Sequence, residues 1–75
     1  MIIKILGSGC ANCNKLEENT RKAVEELGID ANIEKVTDFK EILAYGVMKT
    51  PALVVDEKVK VSGRVLTTEQ IKKYL

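Results

Sequence analysis

Cys10-Ala11-Asn12-Cys13 holds the two cysteines of the chain, spaced C-x-x-C. They follow an apolar run, Ile2-Ile3-Lys4-Ile5-Leu6, and precede a long helical pattern. That placement predicts a dithiol in the turn from a strand into a helix. A helix N-terminus offers unpaired N–H groups and the positive end of the backbone dipole. A sulfur held there ionises more readily than a free thiol and can attack another sulfur near neutral pH. The chemistry indicated is redox exchange between dithiol and disulfide. Two other readings compete with it. Buried structural thiols would be inert, and a metal site would be only half built: two thiolates cannot fill the four positions of a structural zinc, and the chain has no histidine. A metal would need a second subunit or an outside ligand.

Periodicity supplies the elements that position the pair. Residues 2–6 read as a fully buried strand. Over residues 11–27, Cys13, Leu16, Thr20, Ala23, Val24 and Leu27 recur at helical steps and form one face. Gly28 suits the helix stop. Ile29, Ala31 and Ile33 alternate with polar residues, so 30–36 reads as a half-exposed strand. A short helix is expected at about 38–45, with Asp38 and Glu41 as a capping pair, Phe39, Ile42 and Leu43 as its apolar side, and Gly46 as its end. Ala52-Leu53-Val54-Val55 reads as a second buried strand. Lys58 to Val61 alternates as a charged edge strand, with Asp56-Glu57 as the hairpin turn. Thr67 and Gln70 form a capping box for a final helix at about 68–75. The order β-α-β-α-β-β-α predicts one α/β domain spanning residues 1–75, with a four-stranded mixed sheet flanked by three helices. The two unbroken apolar strands should be central and the alternating ones should be edges.

Composition narrows the function classes. The chain has 75 residues, 45% of them hydrophobic and 31% charged, with a formal charge of +1, which suits a globular domain. Neither a strong field nor stacking platforms are present, since aromatic residues make up 4%; no nucleic acid or membrane partner is expected. The first apolar run is broken by Lys4 and is too short for a signal peptide. Two cysteines do not make a secreted disulfide scaffold, so a cytoplasmic monomer is expected.

Taken together, Cys10-Ala11-Asn12-Cys13 after the first strand and Gly46-Val47-Met48-Lys49-Thr50-Pro51-Ala52 before the third resemble the thioredoxin-like superfamily. The likeness is to its very small archaeal and bacterial thioredoxin- or glutaredoxin-like redox-active disulfide proteins, and it covers nearly the whole chain. The resemblance implies a thioredoxin-like fold and a protein-disulfide reductase without cofactor or metal. It assigns Cys10 as the exposed nucleophile and Cys13 as the buried resolving thiol. It makes Pro51 a cis proline shaping the substrate groove, with Thr50 offering backbone contacts and Gly9, Ala11 and Asn12 beside the substrate. Protein disulfides would be the substrates, and a flavin-dependent, thioredoxin-reductase-like protein the electron donor. The alternative is a thiolate binding module for metal, metalloid or persulfide.

The departures are specific. Ala11-Asn12 stands where thioredoxins carry Gly-Pro, and Gly9 where they carry Trp. Lys4 stands where they bury an Asp near the resolving thiol. Lys4 either lays its stem along the strand with its head in solvent, or points under the dithiol and favours a thiolate. Met48 is either a plain loop residue or part of an apolar rim beside Cys10. Tyr45 and Tyr74 are expected to pack partly, with exposed hydroxyls. Thr50-Pro51 and Ser62-Gly63-Arg64 match glutathione-contacting positions only in part. Gly7 and Gly9 are read as letting the backbone turn tightly into the helix.

Overall fold

The computed structural model describes residues 1–7 and 11–75. The elements are β1 (Ile2–Leu6), α1 (Ala11–Leu27), β2 (Asn32–Val36), α2 (Phe39–Ala44), β3 (Ala52–Val55), β4 (Lys58–Ser62) and α3 (Thr68–Lys72). Their order matches the predicted one. The differences in extent are a later start for β2, a shorter α2, a β4 that runs one residue further to Ser62, and a shorter α3.

The four strands form one sheet in the order β2-β1-β3-β4. β1 runs parallel to β2 and antiparallel to β3, and β3 is antiparallel to β4. The uninterrupted apolar strands therefore lie in the middle and the alternating ones at the edges, as expected for strands buried on two faces and on one. Successive side chains of a strand point to opposite faces, and two clusters result. Ile3, Ile5, Leu53 and Val55 pack with Leu16 and Ala23 of α1 and Ile71 of α3. Leu6, Ala52 and Val54 pack on the other face with Val36, Ile42 and Val47. The sheet is thus covered by α1 and α3 on one side and by α2 on the other.

Local chemistry explains the boundaries. α1 ends at Gly28 (φ +64°). The Ile29 amide donates to the Val24 carbonyl and the Gly28 amide to that of Glu25, the paired bonds of a Schellman stop. α3 opens on the predicted capping box, with both arms formed between Thr67 and Gln70. The cap of α2 rests on Asp38, whose carboxylate accepts from the Lys40 amide at 2.9 Å; the expected partner Glu41 instead lines a groove on that face. Thr20 is buried and donates its hydroxyl to the Leu16 carbonyl at 2.7 Å, so a polar residue on the apolar face of α1 costs no unmade bond. Asn19 donates to the Leu66 carbonyl, tying α1 to the chain before α3.

Four apolar positions differ from the reading of the sequence. Ile2, placed in a fully buried strand, is exposed at the open end of β1. Leu27 is the last residue of α1 and is exposed. Phe39 and Leu43 of α2 are 70% and 46% exposed, leaving Ile42 alone of the expected apolar side in the core. A helix of six residues makes fewer than two turns, so one row of side chains reaches the sheet.

Leu53→Ala is expected to cost about 2–5 kcal/mol, because Leu53 is fully buried between β1, β4 and the α1 layer. Phe39→Ala should stay within about 0.5 kcal/mol despite removing a larger side chain. Urea unfolding of the two variants checks the contrast; equal losses would contradict the burial assignment.

Candidate functional site

Cys13 is the third residue of α1 and is 1% exposed. Ala11 and Asn12 precede it at the start of the helix, both exposed. Cys10 and Gly9, the other predicted members of this segment, lie outside the described residues, as does Ser8.

Gly7 closes β1 on the same face as Ile3 and Ile5, the face covered by α1. Its amide donates to the Val36 carbonyl at 2.9 Å, extending the β1–β2 ladder by one bond. A Cβ built on Gly7 would fall inside the Cys13 sulfur, 3.0 Å from the Cys13 Cβ and 3.8 Å from the Thr50 Cβ. Cys13 and Thr50 thus both border the space where a Gly7 side chain would stand. The peptide between Thr50 and Pro51 is cis. Pro51 is buried and Thr50 exposed. The Pro51 carbonyl accepts from the Gly63 amide at 2.9 Å, which ties the proline turn to the end of β4. Val47, 3% exposed, anchors the loop before it in the α2-side cluster, while Met48 stands 90% exposed.

The end of β1 and the start of α1, neighbours in sequence, thus meet the distant Thr50-Pro51 turn at one end of the sheet. The chain matches the family described as "Thioredoxin domain" over residues 1–75.

It belongs to the thioredoxin family.

A protein named thioredoxin from Methanothermobacter thermautotrophicus is 52% identical over 75 residues, which covers all of this chain and 97% of that protein. One from Methanocaldococcus jannaschii, also named thioredoxin, is 47% identical over 75 residues, covering 86% of its length. The mixed sheet with its three helices is accordingly a thioredoxin-like fold, and the chain is a thiol–disulfide oxidoreductase.

The helix carrying Cys13 has no acidic residue in its first turn, which leaves the positive end of its dipole uncompensated there. The first carboxylate along α1 is Glu17, one turn after Cys13. It is held by Arg21 at 2.9 Å and Lys35 at 3.2 Å. The hydrogen bond from Arg21, then the one from Lys35, keeps the Glu17 carboxyl below its ordinary range. Its negative charge is largely spent on those two cations.

Lys4 does not serve the dithiol. As an even-numbered residue of β1 it faces α2, opposite to Cys13. Its ammonium donates to Glu57 Oε1 at 2.7 Å and to the Tyr45 hydroxyl at 2.8 Å, and the Tyr45 hydroxyl donates to Glu57 Oε2 at 3.0 Å. The head of Lys4 is therefore in a three-member network rather than in open solvent, and the Tyr45 hydroxyl is engaged too. The bond to Glu57, then the one to Tyr45, raises the Lys4 pKa, and the same contacts lower that of Glu57. The network borders a groove of about 470 Å³ lined also by Glu34 and Glu41.

Sequence reasoning read Gly7 as a turn residue. The chain does bend at Gly7, with φ outside the left-handed region, and a Cβ there would in addition overlap the Cys13 sulfur. The signal was a glycine where strand alternation points toward the helix carrying C-x-x-C. The Lys4 partners lie 41 and 53 residues away, beyond any local pattern.

Glu57→Gln is expected to lower Tm at neutral pH and low salt. The Glu57 pKa is depressed in the folded state, so its stabilisation is present above the ordinary value of 4.5 and is lost as pH falls through the lower folded value. The Tm difference between wild type and variant should therefore close at acidic pH and shrink in high salt. A difference independent of both would show that charge is not what Glu57 contributes.

Proposed function

We propose that Cys10 and Cys13 carry a dithiol–disulfide cycle that reduces protein disulfides. The Cys10 thiolate attacks a substrate disulfide and forms a mixed disulfide. Cys13 then attacks Cys10, the substrate leaves as its dithiol, and the Cys10–Cys13 disulfide remains for a reductase to reopen. The observation that carries this reading is the seating of Cys13, buried in the first turn of α1 beside Gly7 and the cis Thr50-Pro51 peptide. A buried second sulfur suits resolution, since it is kept from outside disulfides and has its neighbouring cysteine within three residues.

Thr50 and Pro51 form the substrate-facing wall in this reading, with Gly9, Ala11 and Asn12 along the other side. The exposed Met48 adds apolar surface near that wall. Electrons come from a thioredoxin-reductase-like flavoprotein. The protein works as a monomer in the cytoplasm; no helix among the described residues is long and apolar enough to cross a membrane. Full-length likeness to two proteins named thioredoxin favours this reading over a thiolate module for metal, metalloid or persulfide.

Cys10→Ser is expected to abolish disulfide reduction. Cys13→Ser should release one substrate thiol and stop at a mixed disulfide visible by intact mass. The equilibrium potential of the wild-type pair should lie near or below the cytosolic glutathione range, about −220 to −320 mV. Stoichiometric bound metal with no turnover would overturn the redox reading in favour of the binding module.

A further inference from the structure

We propose that Gly7 is a positioning residue for the resolving step: the space left by its missing side chain is the seat of the Cys13 sulfur. The proposal rests on the disulfide cycle above and adds to it the element that sets its second half.

Neither neighbour can withdraw. The Gly7 backbone is pinned by its bond to Val36 and by the paired strand before it. Cys13 sits on a helix whose Leu16 and Ala23 are fully buried against Ile3 and Ile5. The Gly7 backbone does not need glycine for its conformation, so alanine would keep the chain path and change only the space. A methyl there overlaps the sulfur and lies 3.0 Å from the Cys13 Cβ. With both backbones fixed, relief requires the sulfur to leave this position. In the disulfide cycle proposed above, a displaced Cys13 sulfur makes the resolving attack more slowly.

The step affected is a defined exchange. The Cys13 thiolate attacks the Cys10 sulfur of the mixed disulfide. The Cys10–Cys13 bond forms and the bond from Cys10 to the substrate breaks. The departing substrate sulfur leaves as a thiolate and takes a proton from water. Over the cycle the cysteine pair loses two electrons and the substrate disulfide gains them. Disulfide geometry tolerates little displacement, since the two Cβ atoms must come within about 3.5–4.5 Å. A misplacement of about 1 Å can slow such a step by about a hundredfold. The first attack, by Cys10, does not use the Cys13 sulfur.

The test is Gly7→Ala in single turnover against a disulfide-bonded peptide, with thiol release and intact mass followed together. The expected result is first-thiol release close to the wild-type rate, followed by a mixed disulfide that resolves at least about tenfold more slowly than in wild type. A variant that merely folds less well would lose both phases without accumulating the intermediate. A thermal double-mutant cycle guards against that case. Gly7→Ala should lower Tm by about 5 °C or more when Cys13 is present, and by much less in a Cys13→Ala background, where no sulfur is left to displace. Resolution at the wild-type rate, or an equal Tm loss with and without the Cys13 sulfur, would overturn the proposal. If wild type itself releases no substrate thiol, the disulfide-cycle reading fails, and the thermal cycle alone decides whether Gly7 serves Cys13.

Discussion

Burial of β1 and β3 on both faces governs how everything else is arranged. With helices above and below, each residue of these strands is committed to one layer or the other by the pleat. Ile3 and Ile5 go to the α1 and α3 side, and Leu6 goes to the α2 side. The same alternation sends Gly7 toward α1, where the Cys13 sulfur needs room, and Lys4 toward α2, away from it. A shift of register by one residue would exchange the two roles. The redox segment and the charged network are thus kept apart by the parity of the strand.

A lysine in a central strand must also be reconciled with its apolar surroundings. The Asp56-Glu57 turn does this, although both residues occupy the left-handed region, at φ of 49° and 68°. That conformation costs about 1–2 kcal/mol for an ordinary side chain, and such hairpin turns favour Asn-Gly or Asp-Gly. Here the turn is held by long-range bonds. The Asp56 carboxylate accepts from the Ile2 amide at 2.9 Å, the Asp56 amide donates to the Ile2 carbonyl at 2.8 Å, and Glu57 receives Lys4 and Tyr45. These contacts offset the strain and fasten the start of β1 to the β3–β4 corner. The turn stays well formed with a dipeptide that local preference alone would rank low.

The dithiol end combines pieces that contribute different physics. The start of α1 supplies a dipole with no acidic residue in its first turn, and the next carboxylate along the helix, Glu17, is held by Arg21 and Lys35. The cis Thr50-Pro51 turn presents an exposed residue on a buried hinge, tied to Gly63. The end of β1 supplies absence of bulk. Membership of the thioredoxin family accounts for the C-x-x-C and the proline. The contact of Gly7 with Cys13 and Thr50 shows how this chain fits them together in so small a body.

The amino-acid sequence by itself determined the features that act over a few residues. The C-x-x-C spacing, the helix stop at Gly28, the Thr67–Gln70 box and the contrast between unbroken and alternating strands were all legible, because each depends on bonds or periodicities within one element. The mixed-sheet architecture followed from them, since doubly buried strands have to be central. What only the tertiary structure decided depends on which surfaces the rest of the chain reaches. Phe39 and Leu43 remain exposed because a six-residue helix covers the sheet with one row. Leu27, the last residue of α1, also remains exposed. Lys4 finds its partners across tens of residues, where sequence pattern carries no distance, and the room that Cys13 takes beside Gly7 is set by the packing of α1 on the sheet.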